Sequence, residues 1–152
     1  MTQAIDFHTG VADKLGYACR LLRKALRAGK QVVVTGQPAE LQRLDQLLWT
    51  FEPGEFIPHA RLRAGQAIAP VLARTPLWLA DQAADAGVRD VLVNLGPQAL
   101  PDTAAWPRVI EIVADGPDEV AAGRERWRQY KAAGLSPRAH AQTRPEPGGQ
   151  AG

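Results

Sequence analysis

The chain has 152 residues, 45% of them hydrophobic, which suits one domain with a single core, and no run of about eighteen apolar residues or basic-then-apolar leader marks it for a membrane or for export. Eighteen Lys and Arg stand against sixteen Asp and Glu, so the net charge of +2 excludes the single-sign field of a protein that coats nucleic acid. One cysteine, Cys19, excludes an internal disulfide framework, and three scattered histidines form no zinc motif, so a cytoplasmic protein without cofactor or metal is expected.

Residues 3–8 alternate apolar and polar side chains, as a half-buried first strand does. Asp13 is placed to cap a helix running to about Ala28, with Leu15, Ala18, Cys19, Leu22, Ala25 and Leu26 on one apolar face and Gly29 at the exit. Cys19 falls on that face, which makes it a small core residue rather than a reactive thiol. Arg20, Arg23, Lys24, Arg27 and Lys30 decorate the other side as a solvated basic face, with a direct nucleic-acid contact as the alternative. Gln31 to Thr35 is a β-branched run of the kind found inside parallel sheets. Gly36-Gln37-Pro38 then turns it into a second helix to about Trp49, faced with Leu41, Leu44, Leu47 and Leu48. With one glycine in that turn and no lysine after it, the chain matches neither GxGxxG nor GxxxxGK[ST], so no phosphate loop is expected.

Trp49, Phe51 and Phe56 crowd the turn residues Pro53 and Gly54, either plugging the end of a sheet or forming an exposed patch for a partner protein. His59 has no acid or nucleophile beside it in sequence, which argues against catalysis or metal binding. Residues 60–75 read as a loop in which 66–71 extends briefly. Short strands follow at 76–80, 89–95 and 108–113, with Trp106 at a core edge. Pro117 to Gly134 reads as a helix with Asp118 and Glu119 at its positive end. Within it Val120, Gly123, Trp127, Tyr130 and Ala133 recur at the spacing of a sheet-facing side, whereas Arg124, Arg128 and Lys131 form a basic stripe that Trp127 borders. Such a stripe suits a peptide with acidic residues and an apolar anchor.

Residues 139–152, with three glycines, two prolines and no aliphatic side chain larger than alanine, read as a disordered tail, leaving 1–138 as a single domain. The alternation of five or six strands with helices predicts an α/β fold, a mixed, mostly parallel sheet flanked by helices, Rossmann-like without a nucleotide-binding loop. Chemistry is sparse: the single serine, Ser136, lies beyond the last helix, and Asp81, Asp85 and Asp90 lack a spacing that would pair them. A non-catalytic protein is expected.

Several stretches together resemble the chi subunit of bacterial DNA polymerase III holoenzyme: Leu44-Asp45-x-x-Leu48-Trp49, Glu55-Phe56-Ile57-Pro58-His59, Asp90 to Leu95, Val109 to Val113, and Arg124-Glu125-Arg126-Trp127-Arg128-x-Tyr130-Lys131-x-x-Gly134. They run in the family's order over about 3–138. The resemblance implies an accessory replication role, joining the clamp loader, through the psi subunit or another clamp-loader or polymerase component, to the acidic C-terminal tail of single-stranded-DNA-binding protein. On that likeness the tail docks on Arg124, Trp127 and Arg128, with Lys131 continuing the stripe, and Trp49 and Phe56 are candidates for psi binding. Two departures stand out: Val120 replaces a lysine that family members can carry, and Trp127 replaces a tyrosine found in some relatives.

Overall fold

Short runs such as Val32 to Thr35 are apolar on both faces of a strand, and they are satisfied only between two layers of helix. The computed structural model, which describes residues 4–51, 53–54 and 56–142, shows that arrangement. Its strands are β1 (Ala4–Val11), β2 (Val32–Thr35), β3 (Ala60–Leu62), β4 (Leu77–Ala80), β5 (Val91–Asn94), β6 (Arg108–Ala114) and β7 (Arg138–Ala141). The helices are α1 (Lys14–Arg27), α2 (Pro38–Thr50), α3 (Ala83–Ala86) and α4 (Pro117–Ala132). The seven strands form one sheet in the order β3-β4-β2-β5-β6-β1-β7, and every pair is parallel, so the expected α/β fold is present with a sheet that is parallel throughout rather than mixed.

Each face of the sheet has its own core. On the first, Ala18, Cys19 and Leu22 of α1 and Leu41, Leu44 and Leu48 of α2 cover Val32, Val34, Leu77, Leu79, Val93 and Ile112. On the second, Tyr130 of α4, Ala86 of α3 and Trp106 cover Ile5, Phe7, Trp78, Leu92 and Val109. Asp13 caps α1 by accepting from the Gly16 amide at 3.2 Å, and burial pushes the Cys19 thiol up to about 11, as befits a core residue.

Three stretches differ from the sequence reading. Residues 60–62, read as loop, form β3, and the expected extension at 66–71 is instead irregular chain with a 3-10 turn at Pro70–Leu72. β3 is held less by its own hydrophobicity than by Arg61, whose Nη1 donates to the Leu62 and Leu79 carbonyls and whose Nη2 pairs with Asp81. The third difference is β7, which occupies the start of the stretch read as tail; residues 143–152 lie outside the described residues. All four of its residues are exposed, so no hydrophobic pattern announces it. It is pinned through Asp6 of β1, a buried carboxylate that takes Arg138 at 3.1 Å, His140 at 2.8 Å and Arg108 at 3.3 Å. Burial alone would raise the Asp6 carboxyl, but the His140 hydrogen bond and the two guanidinium charges hold it below its ordinary value.

Candidate partner-docking faces

Helix α4 is set on the sheet by its inner face. Gly123 crosses β6 so closely that a Cβ there would lie 3.0 Å from the Val113 methyl groups. One turn on, Arg126 is buried and its Nε donates to Glu111 Oε1 at 2.7 Å. Glu111, at the centre of β6, is fully buried and also accepts from the Tyr130 hydroxyl and from Asn94 Nδ2. Burial pushes the Glu111 carboxyl up, while Arg126 and the hydrogen bonds oppose the shift; burial beside Glu111 likewise raises the Tyr130 phenol. The network continues into the chain after β5, because the Leu100 amide donates to the Tyr130 hydroxyl, Asn94 Nδ2 to the Gln98 carbonyl and the Gly96 amide to Asn94 Oδ1. The sequence reading missed Arg126 and Glu111 as a pair. The signal was faint: a Glu inside a β-branched run, and an arginine off the stripe defined by its three basic neighbours.

With α4 held this way, Arg124, Arg128 and Lys131 face solvent, and Trp127 stands half-buried with its ring edge-on to Phe7, centroids 5.1 Å apart. Between β1 and α4 lies a groove of about 270 Å³, lined by Phe7, Thr9, Val113, Val120, Arg124 and Trp127 among others. Arg124 and Lys131 have no hydrogen-bond or ion-pair partner among the described residues, whereas Arg128 Nη2 donates to Glu125 Oε1 at 2.7 Å in an exposed pair. Four of the expected sheet-facing residues, Val120, Gly123, Trp127 and Tyr130, do turn inward, but Ala133 is exposed.

The aromatic stretch after α2 forms a second face. Trp49 and Phe56 are 57% and 65% exposed with ring centroids 5.6 Å apart, so these two rings make an exposed patch and do not plug the sheet. Phe51 is half-buried beneath the Arg23 guanidinium at 5.4 Å. Although His59 has no acid beside it in sequence, α2 brings one: His59 Nε2 lies 2.8 Å from Asp45 Oδ1 and Nδ1 2.7 Å from the Ile57 carbonyl oxygen, with the Trp49 ring 4.8 Å away. These contacts fix the backbone beneath the patch. A hollow of about 300 Å³ beside Phe56 is lined by Arg23, Arg27 and Lys30, so part of the basic side of α1 belongs to this face.

Phosphate chemistry is disfavoured at the helix ends that a nucleotide-binding fold would use. Asp13 sits at the start of α1, Glu40 in the first turn of α2, and Asp118 and Glu119 in that of α4. Lys14, the nearest cation, is engaged by Glu40 at 3.0 Å, Glu119 at 3.3 Å and the Leu95 carbonyl at 2.6 Å. Among the described residues no group of His, Cys, Asp or Glu is arranged to hold a metal, and no helix is long and apolar enough to cross a membrane.

A wholly parallel seven-stranded sheet flanked by helices, with acidic residues at the starts of α1, α2 and α4, defines the class as an α/β, Rossmann-like protein. The particular family follows from comparison with known proteins: the model of the family "DNA polymerase III chi subunit, HolC" matches residues 1–138, and the chain belongs to that family. It is similar to the DNA polymerase III subunit chi of Pseudomonas aeruginosa, 34% identical over 122 residues, covering 80% of this chain and 81% of that one. The chi subunits of Haemophilus influenzae and Escherichia coli are 29% and 27% identical over 119 and 120 residues, covering 77% and 78% of this chain and 79% and 78% of theirs. The chain is therefore a replication accessory subunit of DNA polymerase III and not its catalytic subunit.

Proposed function

We propose that this chi-family chain links the clamp loader to single-stranded-DNA-binding protein in the cytoplasm, by taking the acidic C-terminal tail of that protein into the groove between β1 and α4. One observation carries the reading: an apolar groove of about 270 Å³ whose wall is Arg124 and Trp127, on a helix that continues as a cationic strip through Arg128 and Lys131. A tail of aspartates ending in an apolar residue and a free carboxylate needs both kinds of surface at one place. Its apolar end fits between Phe7, Val113, Val120 and Trp127, and its carboxylates meet the three cations. Arg128 leaves Glu125 to do so, at little cost because exposed ion pairs contribute little.

The psi subunit is assigned to the other face, on Trp49 and Phe56. Two large exposed rings in contact, beside a hollow lined by Arg23, Arg27 and Lys30, support an apolar partner segment with acidic flanks. Direct nucleic-acid binding by the first helix ranks lower, because Arg23 is stacked on Phe51 and shares that hollow with Arg27 and Lys30.

Calorimetric titration with the C-terminal peptide of the cognate single-stranded-DNA-binding protein tests the first assignment. Saturable heat is expected, with loss of affinity when the last residue of the peptide is removed and when Arg128 is changed to Glu. No heat from the intact peptide would refute the tail-binding role.

A further inference from the structure

A third surface lies away from both docking faces and does not depend on either assignment. β2 hands the chain to α2 on the first face of the sheet, while its neighbour β4 hands it to α3 on the second. The divergence opens a crevice at the C-terminal ends of these strands, where parallel sheets take their ligands. α3 has only four residues, and the chain from Leu100 to Trp106 faces it across the buried Leu92 of β5. Between them runs a groove of about 490 Å³ walled by Val88, Leu92, Leu100, Ala105 and Trp106. Through Thr35, Asp81 and Pro101 it joins a second hollow of about 350 Å³.

Its charge selects the occupant. No Lys, Arg or His lines either hollow, so a phosphate or a tail of carboxylates finds no counter-charge there. Asp81 is engaged by Arg61 and by the Ala64 amide at 3.2 Å. Asp102 is not: it is exposed at the rim, and its carboxylate has no partner among the described residues. It is also the one described residue other than glycine with positive φ, 56°, a conformation that asparagine and aspartate tolerate better than bulkier side chains. At the other end Val88 is 54% exposed, an apolar side chain left open to a partner. An apolar trough with one unpaired carboxylate at its mouth is complementary to an apolar side chain that has a cation next to it.

We propose that the groove between α3 and the Leu100–Trp106 segment docks a partner-protein segment in which an apolar side chain adjoins a lysine or arginine, the apolar group filling the trough and the cation pairing with Asp102. The site gives the chain a contact of opposite charge preference to that of α4, so one partner cannot substitute for the other.

The test is an NMR titration of the ¹⁵N-labelled full chain with three capped tetrapeptides, acetyl-Gly-Leu-Arg-Gly-amide and its Leu-Glu and Ala-Arg counterparts, and with acetyl-arginine-amide. The Leu-Arg peptide is expected to shift the amides of Val88, Asp102 and Ala105 saturably at millimolar concentration, about threefold more tightly than the Leu-Glu or Ala-Arg peptide. Asp102→Asn should remove the preference for Arg over Glu, and Ala105→Leu, which fills the trough, should abolish binding while leaving the other amides and the melting temperature in place. Equal response to Leu-Arg and Leu-Glu, shifts confined to α4, or no shift at all would overturn the proposal. Equally tight binding of acetyl-arginine-amide would do so as well, by showing a cation site without an apolar contact.

Discussion

Arg126 and Arg128 stand two positions apart on α4 and meet opposite surroundings. The first is buried against Glu111 with Tyr130 and Asn94 around the same carboxylate; the second lies in solvent on Glu125. One side of the helix therefore fixes where the helix is, and the other presents what a partner can touch. The lesson is that charge on this helix has no single meaning. A buried cation whose counter-ion is removed is left uncompensated, whereas a solvated one is free to change partner at little cost.

The sharpest way to break this comparison is at the hub. Glu111→Ala leaves Arg126 buried without its anion and is expected to lower unfolding free energy by about 3–5 kcal/mol, read from urea denaturation. Replacing the set together, Glu111→Leu with Arg126→Met and Tyr130→Phe, should recover most of that loss, since well-packed apolar groups often equal a buried pair. A large loss in the triple variant would mean that the network supplies more than charge compensation.

Trp127 straddles both sides. Trp127→Ala is expected to weaken tail-peptide binding by about 1–3 kcal/mol as a lost anchor, and to lower stability by a smaller amount through its contact with Phe7. A fall in melting temperature with unchanged peptide affinity would assign the ring wholly to the inner face. On the outer face, Arg124→Glu should weaken peptide binding about tenfold, roughly 1.4 kcal/mol, while the melting curve stays where it is. A shifted melting curve would show that the outer stripe also holds the fold.

The smallest effect concerns β1, whose second-face residue Phe7 floors the groove while its first-face residue His8 packs against His140 and Tyr17. Burial, reinforced by the charges of His140 and Arg108 and opposed by Asp6, holds the pKa of His8 below its ordinary value of 6.5. The unfolded chain therefore takes up a proton that the folded chain refuses. Stability from this group is full above about pH 6.5 and declines as pH falls from there towards the lower folded value. His8→Gln should flatten that part of the stability–pH curve. The acid limb belongs to Asp6, whose contribution is present above its ordinary value of 3.8 and is lost as pH falls through its depressed folded pKa.

Periodicity made the long helices and the inner strands legible, since Leu22, Leu41, Leu44 and the β-branched β2 run advertise burial directly. It also separated the basic stripe of α4 from Gly123 and Tyr130. Where stability comes from charge rather than apolar pattern, the sequence was silent: β3 depends on Arg61, and β7 on Asp6, a residue more than a hundred positions away. The groove was hidden for a related reason. Its wall on α4 could be read from helical spacing, but its floor comes from Phe7 and Thr9, and nothing local tells β1 that α4 lies over it. Family likeness drew attention to Trp49 and Phe56, yet their exposure could not be read from the turn residues between them.

The position of β1 in the sheet sets an order of events during synthesis. Ala4 pairs with Arg108 and Asp6 with Arg138, so β1 has no edge to join until the last third of the chain is made. At about 5–20 residues per second, that wait is on the order of several seconds to tens of seconds. The patch made by Trp49 and Phe56 rests on α2, whose Leu41, Leu44 and Leu48 share a core with β2, β4 and β5 and with Ile110 and Ile112 of β6. The α4 groove needs the chain at least through Trp127. A chain truncated before α4 therefore lacks the groove altogether, because Arg124 and Trp127 form its wall.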